Sequence, residues 1–233
     1  MMMTHWLRTP HWSSTIPMET PHPRLDVLAE TGYVVLRDLN PPIPEHEYTD
    51  LEYFEYKSGG DTDWAPIASR SGGVDLANFW SPGDERPDKD FQLCANADQA
   101  PSIKRYVQSV HANFGRVRII RLRTQDYDAA RLQIHRDDNN RFNDDDSGWV
   151  VRSWLELSGN AESFMILMEQ GEDGLPDPGT EIRIPLHSGA QFVIDTQRLW
   201  HVVCHPRPEP RYALISSWES GPALDAWINS QLP

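Results

Sequence analysis

The chain has 233 residues, which suits one larger all-β domain or a β core with a modest N-terminal extension. Its formal net charge of −14 disfavours contact with phosphate backbones, so we expect no nucleic-acid partner. No apolar run approaches the roughly 20 residues of a membrane-spanning helix, so we expect no membrane partner. Cys94 and Cys204 lie far apart in no metal-like spacing, which favours a reduced, cytoplasmic setting.

The N-terminal half of the chain predicts few long elements. Residues 1–23 lack the apolar core of a secretory signal, and we interpret them as a partly ordered arm. Apolar spacing predicts a helix over 24–30 and a strand over 33–36. Between residues 48 and 92, aromatic side chains among Gly, Pro and Asp favour short strands and long loops. A second helix is predicted over 100–111, with proline in its first turn.

After residue 115 the pattern changes to short strands separated by turn signals. Eight strands are predicted, over residues 116–123, 130–135, 149–157, 164–169, 180–184, 190–195, 200–203 and 212–218. This number and spacing of strands predict a sandwich, jelly roll or barrel. A closing helix is predicted over 222–231.

Three residues in this strand region have the chemistry of a metal site. His135 and Asp137 stand two residues apart, so on an extended strand they point to the same side. A His-x-Asp pair is common by chance, and by itself it is weak evidence. His201 could supply a third ligand if the strands fold back as in a jelly roll. Two histidines and one carboxylate on one face of a metal are the ligands of non-haem Fe(II) oxygenases.

Two further residues follow closely after His201. His205 is a rival third ligand, but we favour His201 because His205 is followed directly by a proline and lies only six residues before Arg211. Arg211 stands ten residues after His201, just before the last predicted strand. It could be a surface arginine, but a guanidinium is also the preferred bidentate donor to a dicarboxylate.

Residues 115–220 resemble the 2-oxoglutarate-dependent Fe(II) dioxygenases, within them the aspartyl/asparaginyl β-hydroxylase-like group that includes bacterial proline cis-4-hydroxylase. The segments and residues that match are 118–122, His135-Arg136-Asp137, 151–157, 188–195, His201 and Arg211. The spacing from His201 to Arg211 is the most specific part. The resemblance implies a mainly β fold, a double-stranded β-helix (jelly roll, cupin-like) with flanking N-terminal helices. It further implies that residues 24–233 form a single oxygenase domain.

The same resemblance implies the roles of individual residues. His135, Asp137 and His201 would hold Fe(II), and Arg211 would bind the far carboxylate of the cosubstrate 2-oxoglutarate, with O2 as the oxidant. Arg152 matches a further arginine that contacts cosubstrate or substrate. The metal carboxylate favours hydroxylation, because relatives that halogenate lack it.

The implied substrate is a free amino acid or a small amino-acid-derived molecule, oxidised at an unactivated C–H bond with succinate and CO2 as coproducts. Two alternatives stay open: hydroxylation of Asp or Asn side chains in a peptide, and a non-catalytic cupin-like module that binds zinc or no metal. The sequence gives no indication of the oligomeric state.

Substrate contacts are expected from Arg121, Trp154 and Asp138. Asp138 opens an acidic segment, residues 137–146, that leaves directly from the metal motif. A solvated loop is the simpler interpretation of this segment. Alternatively its carboxylates, including Asp144 and Asp146, favour a substrate bearing an amine or guanidinium.

Overall fold

The computed structural model describes residues 25–55, 62–75, 87–143 and 149–233. The predicted N-terminal arm lies outside the described residues, and so do Asp144, Asp145 and Asp146 of the acidic segment.

The described residues form two antiparallel sheets. The strands are β1 (Tyr33–Leu36), β2 (Phe54–Glu55), β3 (Thr62–Ser69), β4 (Gln92–Leu93), β5 (Phe114–Leu122), β6 (Val150–Glu156), β7 (Phe164–Met168), β8 (Ile182–Pro185), β9 (Gln191–Ile194), β10 (Trp200–Cys204) and β11 (Arg211–Glu219). The larger sheet has the order β1-β9-β6-β11-β5-β3-β2, with β4 beside β3, and the smaller has the order β10-β7-β8. A bridge between His135 and His201 extends the smaller sheet beyond β10. This arrangement confirms the predicted mainly β, double-stranded β-helix fold.

Strand alternation divides the apolar residues between two layers. On β5, Val117 and Ile119 face outward, and they share a core cluster with Ile103 and Ile228 of two flanking helices. Ile120 faces inward, into a second cluster between the two sheets. Burial of each such side chain stabilises the fold by about 1.5–3 kcal/mol relative to exposure. The helices therefore cover the outer face of the larger sheet, and its inner face is turned toward the smaller sheet.

The helices are α1 (Asp26–Ala29), α2 (His46–Thr49), α3 (Ala95–Gln99), α4 (Pro101–Ser109), α5 (Tyr127–Arg131) and α6 (Pro222–Gln231). Helix α4 begins at a proline, and the buried Glu47 carboxylate accepts hydrogen bonds from the backbone N–H groups of Ser102 (2.7 Å) and Ile103 (3.3 Å). A carboxylate at this position satisfies free N–H groups and complements the helix dipole. No helix in the described ranges has the length and apolar character needed to cross a bilayer.

The predicted helices over 100–111 and 222–231 are confirmed as α4 and α6, and the first helix is shorter than predicted. The predicted strand over 130–135 is wrong, because α5 includes its first two residues and a turn follows. The Asp126 carboxylate caps this helix by accepting a hydrogen bond from the Ala129 N–H at 2.9 Å. His135 reaches the smaller sheet through the single bridge to His201 instead.

Candidate metal centre

His135, Asp137 and His201 meet at the inner face of the smaller sheet, with one potential ligand atom of each within 4.8 Å of the others. Backbone hydrogen bonds fix their positions. The N–H of His201 donates to the His135 carbonyl at 2.8 Å, and the N–H of His135 donates back at 3.2 Å. The N–H of Asp137 donates to the Thr196 carbonyl at 2.9 Å. The two ends of the strand set therefore meet, as a jelly roll requires.

Both imidazoles turn Nδ1 toward a backbone carbonyl, and His201 is also held neutral. Burial and the neighbouring His135 lower the pKa of His201 to about 3, so its ring is uncharged at neutral pH. Nδ1 of His201 lies 3.3 Å from the Leu199 carbonyl, and Nδ1 of His135 lies 2.9 Å from the Gln133 carbonyl. A ring that donates through Nδ1 presents the Nε2 lone pair for coordination.

The carboxylate of Asp137 completes the set. Burial by itself raises the pKa of Asp137, but the positive charge of Arg152 holds this pKa well below its usual value. Oδ2 of Asp137 lies 2.8 Å from Nη1 of Arg152 and 3.7 Å from Nε2 of His201. This oxygen is buried and accepts no hydrogen bond from the described part of the chain. An ionised carboxylate beside two imidazoles fits a divalent transition metal such as Fe(II).

The three residues line a cavity of about 610 Å³ that continues between the sheets. Its wall on β5 is formed by alternate residues, namely Arg116, Arg118, Ile120 and Leu122. Trp64 and Trp154 contribute aromatic surface. The cavity therefore brings a metal-type ligand set and several guanidinium groups to one space.

A polar network holds two arginines of the cavity wall, Arg116 and Arg152, beside the metal ligands. Arg116 pairs with the buried Asp88 (Nη2 to Oδ2, 2.9 Å). Arg152 donates to the side-chain oxygen of Asn139 at 2.7 Å, and Arg116 donates to the same oxygen at 3.4 Å. Asn139 in turn donates to the Thr196 hydroxyl at 3.1 Å. Asn139 thus links both arginines to the segment that binds the Asp137 backbone.

Arg152, Trp154 and Asp138 line the cavity, and their contacts with cosubstrate or substrate stay predictions. The Trp154 ring stacks on Phe192 with centroids 5.7 Å apart, and its edge lies 5.9 Å from the His201 ring. Asp138 is more open, with 41% of its side chain exposed, and lies 3.5 Å from Arg141.

Arg211 is placed differently from the prediction. It is fully buried and forms a bidentate ion pair with Glu156, in which its Nε lies 2.8 Å from Oε2 and its Nη2 contacts Oε1. It does not belong to the described residues that line the cavity. Arg211 lies at the start of β11, opposite Leu122 of the cavity wall. The buried carboxylate of Glu156 therefore engages the guanidinium that was expected to bind 2-oxoglutarate.

Arg121 and His205 also lie away from the metal ligands. Alternation turns Arg121 to the other face of β5, where its Nη2 lies 2.7 Å from Asp63 Oδ2 and its guanidinium 4.6 Å from the Tyr53 ring. The prediction that Arg121 contacts substrate in this cavity is wrong. His205 is buried, with Nδ1 2.8 Å from the Ser163 hydroxyl and Nε2 2.6 Å from the Glu209 carbonyl. Both of its nitrogens have partners, so His205 is not a competing ligand.

Sequence reasoning missed Arg116, Arg118, Asn139 and Asp88. The signal for Arg116 and Arg118 was present in the alternation of predicted strand 116–123, which places both on the face opposite to Arg121. For Asp88 and Asn139 the local sequence contains no comparable signal, since each acts through residues that are distant in the chain.

No family model matches the chain, and comparison with curated proteins gives no match either. Among solved structures, an oxidoreductase of the 2OG-Fe(II) oxygenase family from Burkholderia pseudomallei is similar, with a TM-score of 0.51 and 15% identity, over 82% of this chain and 86% of that chain. A prolyl hydroxylase from Trichoplax adhaerens, in complex with a hypoxia inducible factor peptide fragment, gives a TM-score of 0.49 and 11% identity, over 87% and 90%. HygX from Streptomyces hygroscopicus, with nickel and 2-oxoglutarate bound, has a TM-score of 0.46 and 13% identity, over 83% of this chain and 84% of that chain. The chain shares the fold of the Burkholderia oxygenase.

Proposed function

We propose that this chain is a 2-oxoglutarate-dependent Fe(II) dioxygenase that hydroxylates an unactivated C–H bond of a small molecule. The observation that carries the proposal is the cluster of His135, Asp137 and His201, whose ligand atoms lie within 4.8 Å of one another on the wall of a buried, arginine-lined cavity. We further propose that residues 24–233 form one oxygenase domain. The narrower resemblance to the aspartyl/asparaginyl β-hydroxylase-like group is part of the same proposal.

Iron would be held by the imidazoles of His135 and His201 and by the Asp137 carboxylate. When bound, iron with 2-oxoglutarate and O2 supplies the oxidising chemistry, in which succinate and CO2 form as the C–H bond is hydroxylated. Arg152 keeps Asp137 ionised from 2.8 Å, and Asn139 orients Arg152. Trp154 and other apolar side chains of the wall exclude water from the reacting groups.

For the substrate, we propose a free amino acid or a small amino-acid-derived molecule. Asp138 and Arg141 both line the open side of the cavity, with side-chain exposures of 41% and 60%. Such a pair offers one group for an ammonium and one for a carboxylate, and Arg152 offers a second guanidinium. The alternative preference for a purely cationic substrate depended on Asp144 and Asp146, which lie outside the described residues. Four arginines line the described cavity, and they disfavour that preference.

The test is coupled turnover. The purified chain is given Fe(II), 2-oxoglutarate and O2 with single amino acids and with Asp- or Asn-containing peptides. Succinate and substrate that gains one oxygen atom are then measured by mass spectrometry. We expect matched amounts of both products with a free amino acid and none with the His201→Ala variant. If the peptides are oxidised and the free amino acids are not, the result favours the peptide alternative. Metal binding without any succinate favours the cupin-like binding module and contradicts the proposal.

A further inference from the structure

Residues 125–135, which we call the α5 segment, are attached to the smaller sheet at both ends. At one end, the backbone N–H groups of Gln125 and His205 each donate to the carbonyl of the other residue, both at 2.7 Å. At the other end, His135 forms its bridge to His201. The two bridges are separated by fewer residues on the β10 side than along the α5 segment, so the excess residues leave the sheet and form α5. His135 therefore returns to the sheet only at the end of this excursion.

Helix α5 packs on the face of the smaller sheet that is turned away from the cavity. Ala130 of α5 is fully buried in a cluster with Ile166 of β7 and Cys204 of β10. The neighbouring Val203 points to the opposite side, toward the cluster between the two sheets and the cavity. The helix thus touches the back of the sheet, and it can affect the metal ligands only through the chain that leads to His135.

A latch of three side chains, Tyr127, Glu181 and Arg183, fastens α5 to the edge of the smaller sheet. The Tyr127 hydroxyl donates to Oε2 of Glu181 at 2.6 Å, and Nε of Arg183 donates to Oε1 of the same carboxylate at 2.7 Å. The Arg183 guanidinium carbon lies 4.8 Å from the centre of the Tyr127 ring and 4.6 Å from that of Phe164 on β7. Hydrogen bonds to a carboxylate and a cation on an aromatic face both stabilise this contact. Tyr127, the first residue of α5, is therefore held at β8, two strands away from β10.

The other two ligand positions are fixed independently of this latch. His201 lies within β10, which pairs with β7 along its length. The backbone N–H of Asp137 has its own acceptor, the Thr196 carbonyl, at 2.9 Å. His135 instead joins the sheet through an isolated bridge, whose two hydrogen bonds are 2.8 and 3.2 Å long. Among the three ligands, His135 is therefore the one whose position depends most on the packing of α5.

We infer that the latch positions His135 as a metal ligand. Tyr127, Glu181 and Arg183 are positioning residues, because they hold α5 against the sheet in the arrangement that places His135 opposite His201. When the latch is released, the α5 segment can draw His135 away from its bridge, and the site then offers two protein ligands instead of three for part of the time. This inference rests on the proposed function, because it takes His135 to be a ligand of the iron.

The first test measures Mn(II) binding by isothermal titration calorimetry in the absence of O2. Tyr127→Phe deletes the latch hydroxyl and keeps the ring. We expect it to weaken Mn(II) binding about three- to tenfold, a usual size for a change that acts on a site through intervening residues. Glu181→Gln should also weaken binding, and the double variant should lose less than the product of the two single effects, because both changes break the same hydrogen bond. Losses that multiply in full would show that the two residues do not act as one latch.

Tyr53→Phe is the matched control. The Tyr53 hydroxyl also donates to a carbonyl, that of Tyr48, and the Arg121 guanidinium also lies over its ring, at 4.6 Å. Tyr53, however, packs against the outer core cluster of the larger sheet. The control variant should keep the Mn(II) affinity of the parent. A loss equal to that of Tyr127→Phe would make the effect nonspecific and would overturn the inference.

The second test follows His135 itself, by amide hydrogen exchange of the metal-free chain measured with NMR. The His135 N–H donates to the His201 carbonyl at 3.2 Å, and Tyr127→Phe should make it exchange faster while the Asp137 N–H keeps its rate. If Tyr127→Phe lowers the Tm but keeps both the Mn(II) affinity and the His135 exchange rate of the parent, the latch supports the fold alone and the inference is overturned. If the parent binds no Mn(II), the proposed function fails, whereas the exchange rates still decide whether the latch fixes His135.

Discussion

The inner face of the larger sheet buries arginines at two places, and the two places differ in how their charge is balanced. Around the metal ligands, Arg116, Arg118 and Arg152 line a cavity together with Asp137, and Arg152 pairs with Asp137 there. Deeper along the same face, Arg211 meets Glu156 one to one with no exposed surface.

The difference separates a binding site from a structural pair. A closed bidentate pair satisfies its own charges and has no free energy to gain from a ligand. The arginines of the cavity wall instead border a space that a ligand can enter without separating a closed ion pair. Each of the following predictions breaks one side of this comparison.

The largest effect is expected from opening the closed pair. Arg211→Met alone leaves the Glu156 carboxylate buried without a counterion, which should cost about 3–5 kcal/mol of unfolding free energy. Urea denaturation measures this loss, and adding Glu156→Leu should restore most of it. An Arg211→Met variant as stable as the parent would mean that the pair is not a closed unit.

The same variant should respond to pH in a defined direction. Burial raises the pKa of Glu156 in the folded chain, and removal of Arg211 should raise it further. A carboxyl group with a raised folded pKa binds more protons in the folded than in the unfolded state, so stability increases as the pH falls. Arg211→Met should therefore lose less stability, relative to the parent, at pH 5 than at pH 8. An equal loss at both pH values would contradict a buried, uncompensated Glu156.

At the metal end, the effect is on metal affinity. His201→Ala should weaken Mn(II) or Fe(II) binding by more than about 100-fold. Removal of a residue that only hydrogen-bonds to a metal ligand usually costs about 10- to 100-fold in metal affinity, and loss of a direct ligand should cost more. The matched control is His205→Ala, which removes a buried histidine of another network. It should lower stability and keep metal affinity. Equal metal loss in both variants would contradict the assignment of His201.

A smaller effect is expected at Asn139, whose oxygen accepts hydrogen bonds from Arg152 and Arg116. Asn139→Ala should weaken metal binding about tenfold, because Arg152 then loses its orientation beside Asp137. Asn140→Ala is the control, because Asn140 bonds to the Val150 backbone and should affect stability alone. Calorimetric metal titrations compare the two, and equal metal affinities would exclude a positioning role for Asn139.

The smallest effect is expected at Arg121, on the outer face of β5. Arg121→Gln should leave the affinities for metal, 2-oxoglutarate and substrate unchanged, because its side chain faces away from the cavity. A specific rise in the substrate KM would place Arg121 in the substrate path.

The sequence was sufficient for much of the strand set, because strand alternation and turn signals mark it. The His-x-Asp spacing and a distant histidine also identified three residues that the structure brings together, although His135 lies on an isolated bridge and not on the predicted strand. It was not sufficient at α5, where the capping Asp126 and the alanines that follow favour a helix over the predicted strand. Strand 114–122 is buried on both faces, so the local pattern did not reveal whether Arg118 or Arg121 faces inward. The partner of Arg211 lies 55 residues away, and no local signal reveals such a pair.

The most direct test of the account is the coupling between metal and cosubstrate. Calorimetry would compare 2-oxoglutarate binding to the metal-free parent, to the Mn(II)-loaded parent and to the His201→Ala variant in excess Mn(II), all without O2. Because the ligand cluster and the arginines line one cavity, Mn(II) should tighten 2-oxoglutarate binding to the parent by about tenfold or more, a coupling of ordinary size. The His201→Ala variant should lack this gain. Equal affinity with and without metal in the parent would show that the cluster and the arginines do not form one site.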